Sequence, residues 1–369
     1  MIMMNGIPRS ASGPPAGEAG SFSPGFLEAQ PVSPNLVQVI RLLGEYKGKE
    51  TLYLQQTPQV LEALRESAII QSTESSNRLE GVIASPNRIR ELVEEKVAPI
   101  NRSEQEIAGY RDVLATIHVN HDHMALSANL VRQLHRDLFQ FTVAGGGSYK
   151  VADNQITEKR PDGTVVVRFQ PVPAWRTAAA MEQLHDGFGE RWEARDIEPL
   201  FVIAAYVLDF LCTHPFLDGN GRLSRLLTTL LLYRGGFCVG RYISLEQVVE
   251  ETREGYYEAL YASSQGWHEG SHSLLPWWEY LLGVVLHKGY QNFESRVGTL
   301  TSQRGAKREM IRDAIERLPP TFRVRDIEQA MPGISRPTVH RAIKELKDEG
   351  SIRLTRGGRD ALWEKVPQS

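Results

Sequence analysis

Two apolar segments, 198–212 and 221–233, are joined by a connector that no regular helix can absorb. It reads Thr213-His214-Pro215-Phe216-Leu217-Asp218-Gly219-Asn220-Gly221-Arg222-Leu223-Ser224-Arg225. Pro215 cannot continue the first helix, because it lacks an N–H and its ring clashes with the preceding turn. Gly219 and Gly221 let the backbone turn tightly and aim successive N–H groups at one point. A helix starts there, so its orphan N–H groups and its dipole favour an anion. Arg222 and Arg225 lie three apart on that helix and so share a face, which suits a polyphosphate. Asp218 sits at the rim, and one carboxylate plus phosphate oxygens is the usual way of holding Mg²⁺ beside a nucleotide. His214 is the nearby group that titrates near neutrality, placed to take a proton from an attacking hydroxyl.

The rest of the body is mostly helical by apolar periodicity. Helices are expected from residue 35, from about 60 to Gly81, from 86, over 104–119, 127–141, 174–192, 198–212, 221–233, 245–263 and 276–291. Gly145-Gly146-Gly147 breaks the run. Strands over 154–158 and 164–169 flank the turn signal Arg160-Pro161-Asp162-Gly163 and predict a hairpin. Residues 1–34 hold 16 Gly, Pro or Ser and only three charged residues, which predicts a flexible tail. The expected division is a tail over 1–34, an N-terminal helical region over 35–104, a catalytic core over 105–292 and a C-terminal module over 303–369.

Charge is unevenly spread. From Thr301 onward the chain carries 15 Lys and Arg against 10 Asp and Glu, whereas the preceding 300 residues carry 27 against 35. A basic module on an acidic body suggests different partners for the two parts. In that module Val339, Ala342, Ile343 and Leu346 recur at helical spacing and face inward, leaving Arg336, His340, Arg341, Lys344 and Lys347 outside. A last pair of strands surrounds Arg356-Gly357-Gly358-Arg359. Two cysteines, Cys212 and Cys238, make no disulfide framework, and the longest apolar runs are too short and too charged to span a bilayer. With no secretory signal evident, a cytoplasmic location is expected.

The connector resembles the signature of the Fic (filamentation-induced-by-cAMP) family, His-Pro-Phe-x-(Asp/Glu)-Gly-Asn-Gly-Arg-x-x-Arg, at every position from His214 to Arg225. The resemblance implies a mainly α fold, a helical bundle with a β-hairpin flap that holds a target segment by strand addition. Gly147 and Tyr149 resemble the residues leading into that flap. It implies a protein adenylyltransferase that moves AMP from ATP to a Ser, Thr or Tyr hydroxyl of a target protein or of itself. His214 would be the base, Asp218 the Mg²⁺ ligand, Gly219, Asn220 and Gly221 the anion hole, and Arg222 and Arg225 the phosphate holders. A phosphate-transferring branch usually has Lys where this chain has Gly221, which favours AMP transfer here. Tyr257 resembles the residue lining the nucleotide base, although packing within the core explains a tyrosine there equally well.

Upstream, Ser76-Asn77-Arg78-Leu79-Glu80-Gly81 resembles the family's inhibitory motif. Ser76 and Glu80 share a helix face, and Glu80 could occupy Arg225, implying an auto-inhibited enzyme. The C-terminal module resembles a winged helix-turn-helix, a class that meets DNA phosphates or docks proteins. Two alternatives use the same residues. A water activated by Glu80 would remove AMP from a modified protein, or the body would sense ATP for a DNA-binding regulator. His135, Cys212, Trp277 and Trp278 read as packing residues, homo-oligomers are compatible with the chain, and no zinc-like Cys/His cluster is present.

Overall fold

The computed structural model describes residues 20–56, 58–159, 162–302, 306–330, 335–358 and 361–366. The body opens with α1 (Pro34–Gln56), α2 (Pro58–Leu79), α3 (Pro86–Val93), α4 (Arg102–Asn120) and α5 (Ala128–Leu138). Strands β1 (Ile156–Lys159) and β2 (Val165–Phe169) follow, then α6 (Thr177–Ala194), α7 (Pro199–Thr213), α8 (Asn220–Arg234), α9 (Leu245–Glu251) and α10 (Arg253–Ser264). A helix with a π-wound middle closes the body: α11 (Leu275–Trp278), the π stretch Glu279–Leu286 and α12 (His287–Ser302).

Helices α7 and α8 are the axis of the core. Nearly every side chain of both is buried, including Leu226, Leu227, Leu230 and Leu231 at 0 % exposure. Burying one such side chain contributes about 1.5–3 kcal/mol, so this helix pair is the most firmly held part of the fold. Trp277 donates from Nε1 to Ala204 O at 2.8 Å, and Trp278 stacks on Phe201 with centroids 4.3 Å apart. The connector between α7 and α8 is thereby held at both ends by a packed core.

The structure departs from the sequence expectations in several places. The segment expected as tail is narrower than 1–34. From Gly20 the chain packs on the body, with Leu27 at 4 % exposure and Ser21 fully buried. The cause lies in α7, where Asp209 is buried among apolar side chains and needs partners. Ser21 supplies two, its N–H to Oδ2 and its hydroxyl to Oδ1, both at 2.7 Å, and Trp267 Nε1 gives a third at 2.7 Å. Burial still pushes the Asp209 carboxyl up to about 6.

The helix expected over 245–263 divides at Thr252, whose hydroxyl accepts a local role instead. It donates to Val248 O at 2.7 Å and lies 2.9 Å from Tyr280 Oη, a competition with the helix backbone that Thr favours. The last body helix runs on to Ser302 rather than ending near 291. The hairpin is shifted, with β1 starting at Ile156 and running to Lys159, and β1 pairs antiparallel with β2 through a bulge at Ile156/Thr157. Arg160 and Pro161 of its expected turn lie outside the described residues.

The C-terminal residues form their own small core. Elements α13 (Ala306–Arg317), β3 (Thr321–Arg323), α14 (Val324–Ala330), α15 (Arg336–Asp348), β4 (Ile352–Arg356) and β5 (Leu362–Lys365) enclose Ile311, Ile315, Phe322, Ile327, Val339, Ala342, Ile343, Leu346 and Ile352. The strands form one antiparallel sheet in the order β3-β5-β4. Met331, Pro332, Gly333 and Arg359 of the expected second helix end and hairpin tip lie outside the described residues.

Candidate active site

Helix α7 ends as Pro215 requires. His214 caps it in the left-handed region (φ 48°, ψ 61°), where a non-glycine residue costs of order 1–3 kcal/mol unless its surroundings enforce it. The enforcement is visible. The His214 N–H still bonds Phe210 O at 2.9 Å, and the carbonyls of Thr213, His214, Pro215 and Phe216 all accept from neighbours. The Asn220 side chain bridges the loop, accepting from Phe216 N–H at 3.0 Å and donating to Phe216 O at 2.8 Å. Gly219 is left-handed at φ +80°, and a methyl there would stand 2.6 Å from Phe139 Cε2.

His214 is half-buried, with Nδ1 3.3 Å from Leu211 O. Burial lowers its pKa from 6.5 to about 4. The Leu211 carbonyl and the Glu80 and Asp218 carboxylates oppose that fall, while the Lys150 ammonium adds to it. The imidazole is therefore neutral, the form a general base requires.

Glycine at 221 leaves the α8 N-terminus open, and a carboxylate occupies it. Glu80 Oε1 lies where a methyl on Gly221 would fall, and it accepts from Arg225 Nη2 at 2.8 Å. Arg225 is bound further to Ser76, Nε to Oγ and Nη2 to the carbonyl, both at 2.8 Å. Burial works against the Arg225 charge, but Glu80 and the Tyr256 and Tyr110 hydroxyls more than restore it, so its pKa rises. The expected inhibitory pair, Ser76 and Glu80, thus converges on one guanidinium.

Arg222 is placed differently from the expectation. It is 1 % exposed and lies beneath the loop, with Nη1 2.5 Å from Glu106 Oε2 and Nη2 3.4 Å from Asp218 Oδ1. Arg102 closes a ring of alternating charge, 2.7 Å from Glu106 and 3.3 Å from Asp218. Arg222 therefore braces Asp218 in this arrangement instead of presenting itself to the cradle. Asp218 has a side chain 56 % exposed, and Gly219 N–H bonds its Oδ1 at 2.6 Å. A hard divalent cation suits this exposed carboxylate, with the exposed Arg102 as the group it would displace from Oδ2. No cluster of three His, Cys, Asp or Glu stands among the described residues, so further ligands for such an ion would come from phosphate oxygens and water.

His135 supports the loop from below. Gly147 N–H donates to its Nδ1 at 2.8 Å, which places the ring proton on Nε2, 3.0 Å from Asp218 O. It stacks on Phe216 with centroids 3.7 Å apart, and burial lowers its pKa to about 4. Tyr149 stands 5.5 Å from the same ring. Tyr257 is 43 % exposed and packs edge-on against the buried Tyr256, with Arg253 over its ring. Cys212 is buried and its thiol is pushed well up by burial, which leaves it inert.

Sequence reasoning overlooked Lys150, Asn154, Asn77, Arg102 and Glu106. Each reaches the connector from a distant part of the chain, and of these only Asn77 lies in a local pattern, at a variable position of the Ser76–Gly81 stretch.

A family model described as the Fic/DOC family matches residues 125–232. Over 170 residues the chain is 26 % identical to the protein adenylyltransferase fic-1 of Caenorhabditis elegans, covering 45 % of this chain and only 30 % of that protein. A Fic family protein of Desulfovibrio desulfuricans has a similar structure, with TM-score 0.61 and 21 % identity over 92 % of this chain and 98 % of its own. A Fic domain containing signaling protein of Bacteroides thetaiotaomicron gives TM-score 0.57 and 20 % identity over 72 % of this chain and 98 % of its own. These two likenesses establish the fold.

Proposed function

We propose that this chain, whose residues 125–232 match the Fic/DOC family model, is a protein adenylyltransferase held in check by Glu80. The observation that carries the reading is the carboxylate lodged over Gly221 and bonded to Arg225, because the space and the guanidinium it takes are those that phosphate oxygens would need at a helix start. ATP would lie along Gly219, Asn220 and Gly221, with Arg225 on its phosphates once Glu80 withdraws. Asp218 would hold Mg²⁺, which neutralises phosphate charge when bound. His214 takes the proton of a target Ser, Thr or Tyr hydroxyl. That oxygen forms a bond to the α-phosphorus, the bond from the α-phosphorus to its bridging oxygen breaks, and pyrophosphate leaves. Catalysis comes from positioning and charge stabilisation.

Incubation of labelled ATP and Mg²⁺ with wild type, Glu80→Gly and His214→Ala tests the reading. A mass gain of one AMP, larger in Glu80→Gly and absent in His214→Ala, is expected. A gain of phosphate alone, or label independent of His214, refutes it. The reverse reaction, removal of AMP by water that Glu80 activates, is supported by Glu80 standing beside His214 and Arg225. It requires the carboxylate, so Glu80→Gly would abolish release of AMP from a labelled target.

For the C-terminal unit we propose a winged helix that contacts nucleic acid. His340, Arg341, Lys344 and Lys347 on α15 and Arg356 on β4 are all exposed. Full-length protein and a chain ending near residue 300 should differ in affinity for duplex DNA, with a salt-dependent loss for the shorter one. Equal binding refutes this assignment.

A further inference from the structure

The segment leading into the hairpin does more than connect. Lys150, at 3 % exposure, donates from Nζ to Thr213 O at 3.1 Å and to Asn154 Oδ1 at 2.8 Å. Its backbone N–H donates to Pro215 O at 2.9 Å. Asn154 Nδ2 donates to Phe216 O at 3.0 Å and to His214 O at 3.4 Å. Four successive carbonyls of the connector, 213 to 216, are therefore held from one side by two residues.

The same five-residue stretch closes the base of the hairpin. Ala174 N–H donates to Asp153 Oδ1 at 2.7 Å, and Gln170 Nε2 donates to Asn154 O at 3.1 Å. Strands β1 and β2 thus spring from a clamp that is bonded to the His214 loop. The clamp also carries a charge whose burial is costly. Burial lowers the Lys150 pKa to about 8, against the Asp153 carboxylate, which raises it.

We propose that Lys150 and Asn154 are positioning residues for His214. They fix its strained backbone and lock the imidazole and the hairpin into one frame, so that a strand laid on the hairpin meets a base already in register. The proposal rests on the transfer reading for its kinetic part only. Lys150 places a cation near the imidazole. The other charged groups that act on His214 are Glu80 and Asp218, with the Leu211 carbonyl on its Nδ1.

The test uses full-length Lys150→Met, Lys150→Arg and Asn154→Ala, each in the Glu80→Gly background, with unfolding temperature as the control for folding. Lys150→Met and Asn154→Ala should each lower kcat by roughly 10- to 100-fold while leaving KM for ATP unchanged, because loss of register acts on chemistry rather than on nucleotide binding. Lys150→Arg should recover most of the rate. By NMR, with His214→Ala for assignment, the His214 titration midpoint should rise in Lys150→Met and stay put in Asn154→Ala, since only the first removes charge. A folded Lys150→Met protein that keeps the kcat of its Glu80→Gly parent, or keeps that parent's His214 midpoint, overturns the proposal. If Glu80→Gly itself transfers no AMP, the transfer reading fails, and the His214 midpoint alone decides whether Lys150 positions that ring.

Discussion

Replacing Glu80 by glycine removes the carboxylate that accepts from Arg225 Nη2 at 2.8 Å. The pair is partly desolvated, with side-chain exposures of 7 % for Arg225 and 34 % for Glu80. A charge-assisted hydrogen bond of this kind contributes about 1.5–3 kcal/mol. Arg225 keeps both bonds to Ser76, so it stays in place while losing its competing anion. Freed of that competition, the cradle should bind a triphosphate more tightly by roughly 10- to 150-fold, at about 1.4 kcal/mol per tenfold. Calorimetry with ATP and Mg²⁺ measures the affinity, and incorporation of labelled AMP measures the turnover. The fold should lose some stability too, because Arg225 becomes a buried charge without its carboxylate. A folded Glu80→Gly protein whose ATP affinity rises less than threefold would refute the reasoning, since the carboxylate would then not compete for the site.

Other consequences are open to direct measurement. Because His214 is held down to about 4, the acid limb of kcat/KM should lie near that value instead of near 6.5, and initial rates from pH 4 to 8 would show it. His214, His135 and His272 all sit near 4 in the fold against 6.5 unfolded. The unfolded chain therefore binds more protons in that window, and stability should decline as pH falls from about 6.5 to about 4, as chemical denaturation at several pH values would reveal. Glu106→Ala leaves the buried Arg222 without its shortest partner and with only the longer contacts to Asp218 and Asn77, which should cost up to about 3–5 kcal/mol by urea unfolding. Gly219→Ala combines a left-handed backbone with a methyl 2.6 Å from Phe139 and should cost on the order of 1–3 kcal/mol, with activity lost even in the folded fraction.

The site was legible where its chemistry is contiguous. His214, Asp218, Gly219, Asn220, Gly221 and Arg225 fall within one short connector, and their types suggest the proposed anion cradle beside a base. Glu80 was legible only because its six-residue pattern pairs with that connector, and the fold brings it to Arg225 across 145 positions. Lys150 and Asn154 were not legible, since hydrogen bonds to backbone carbonyls leave no mark on the sequence of the acceptor. Arg222 misled for a related reason. Helical spacing puts it on the face of Arg225, but Glu106 from α4 draws its guanidinium under the loop. Among the helices, α7 was plain because it is apolar over nearly its whole length, and α8 because Leu226, Leu227, Leu230, Leu231 and Leu232 crowd it after the connector. The break at Thr252 depends on a hydroxyl contact with Tyr280, which no local window contains.

The absence of a side chain at residue 221 has a consequence beyond room for a nucleotide. Any larger residue there would collide with the Glu80 carboxylate as it stands, so under the proposed reading a chain bearing lysine at that place would need another means of closing the pocket.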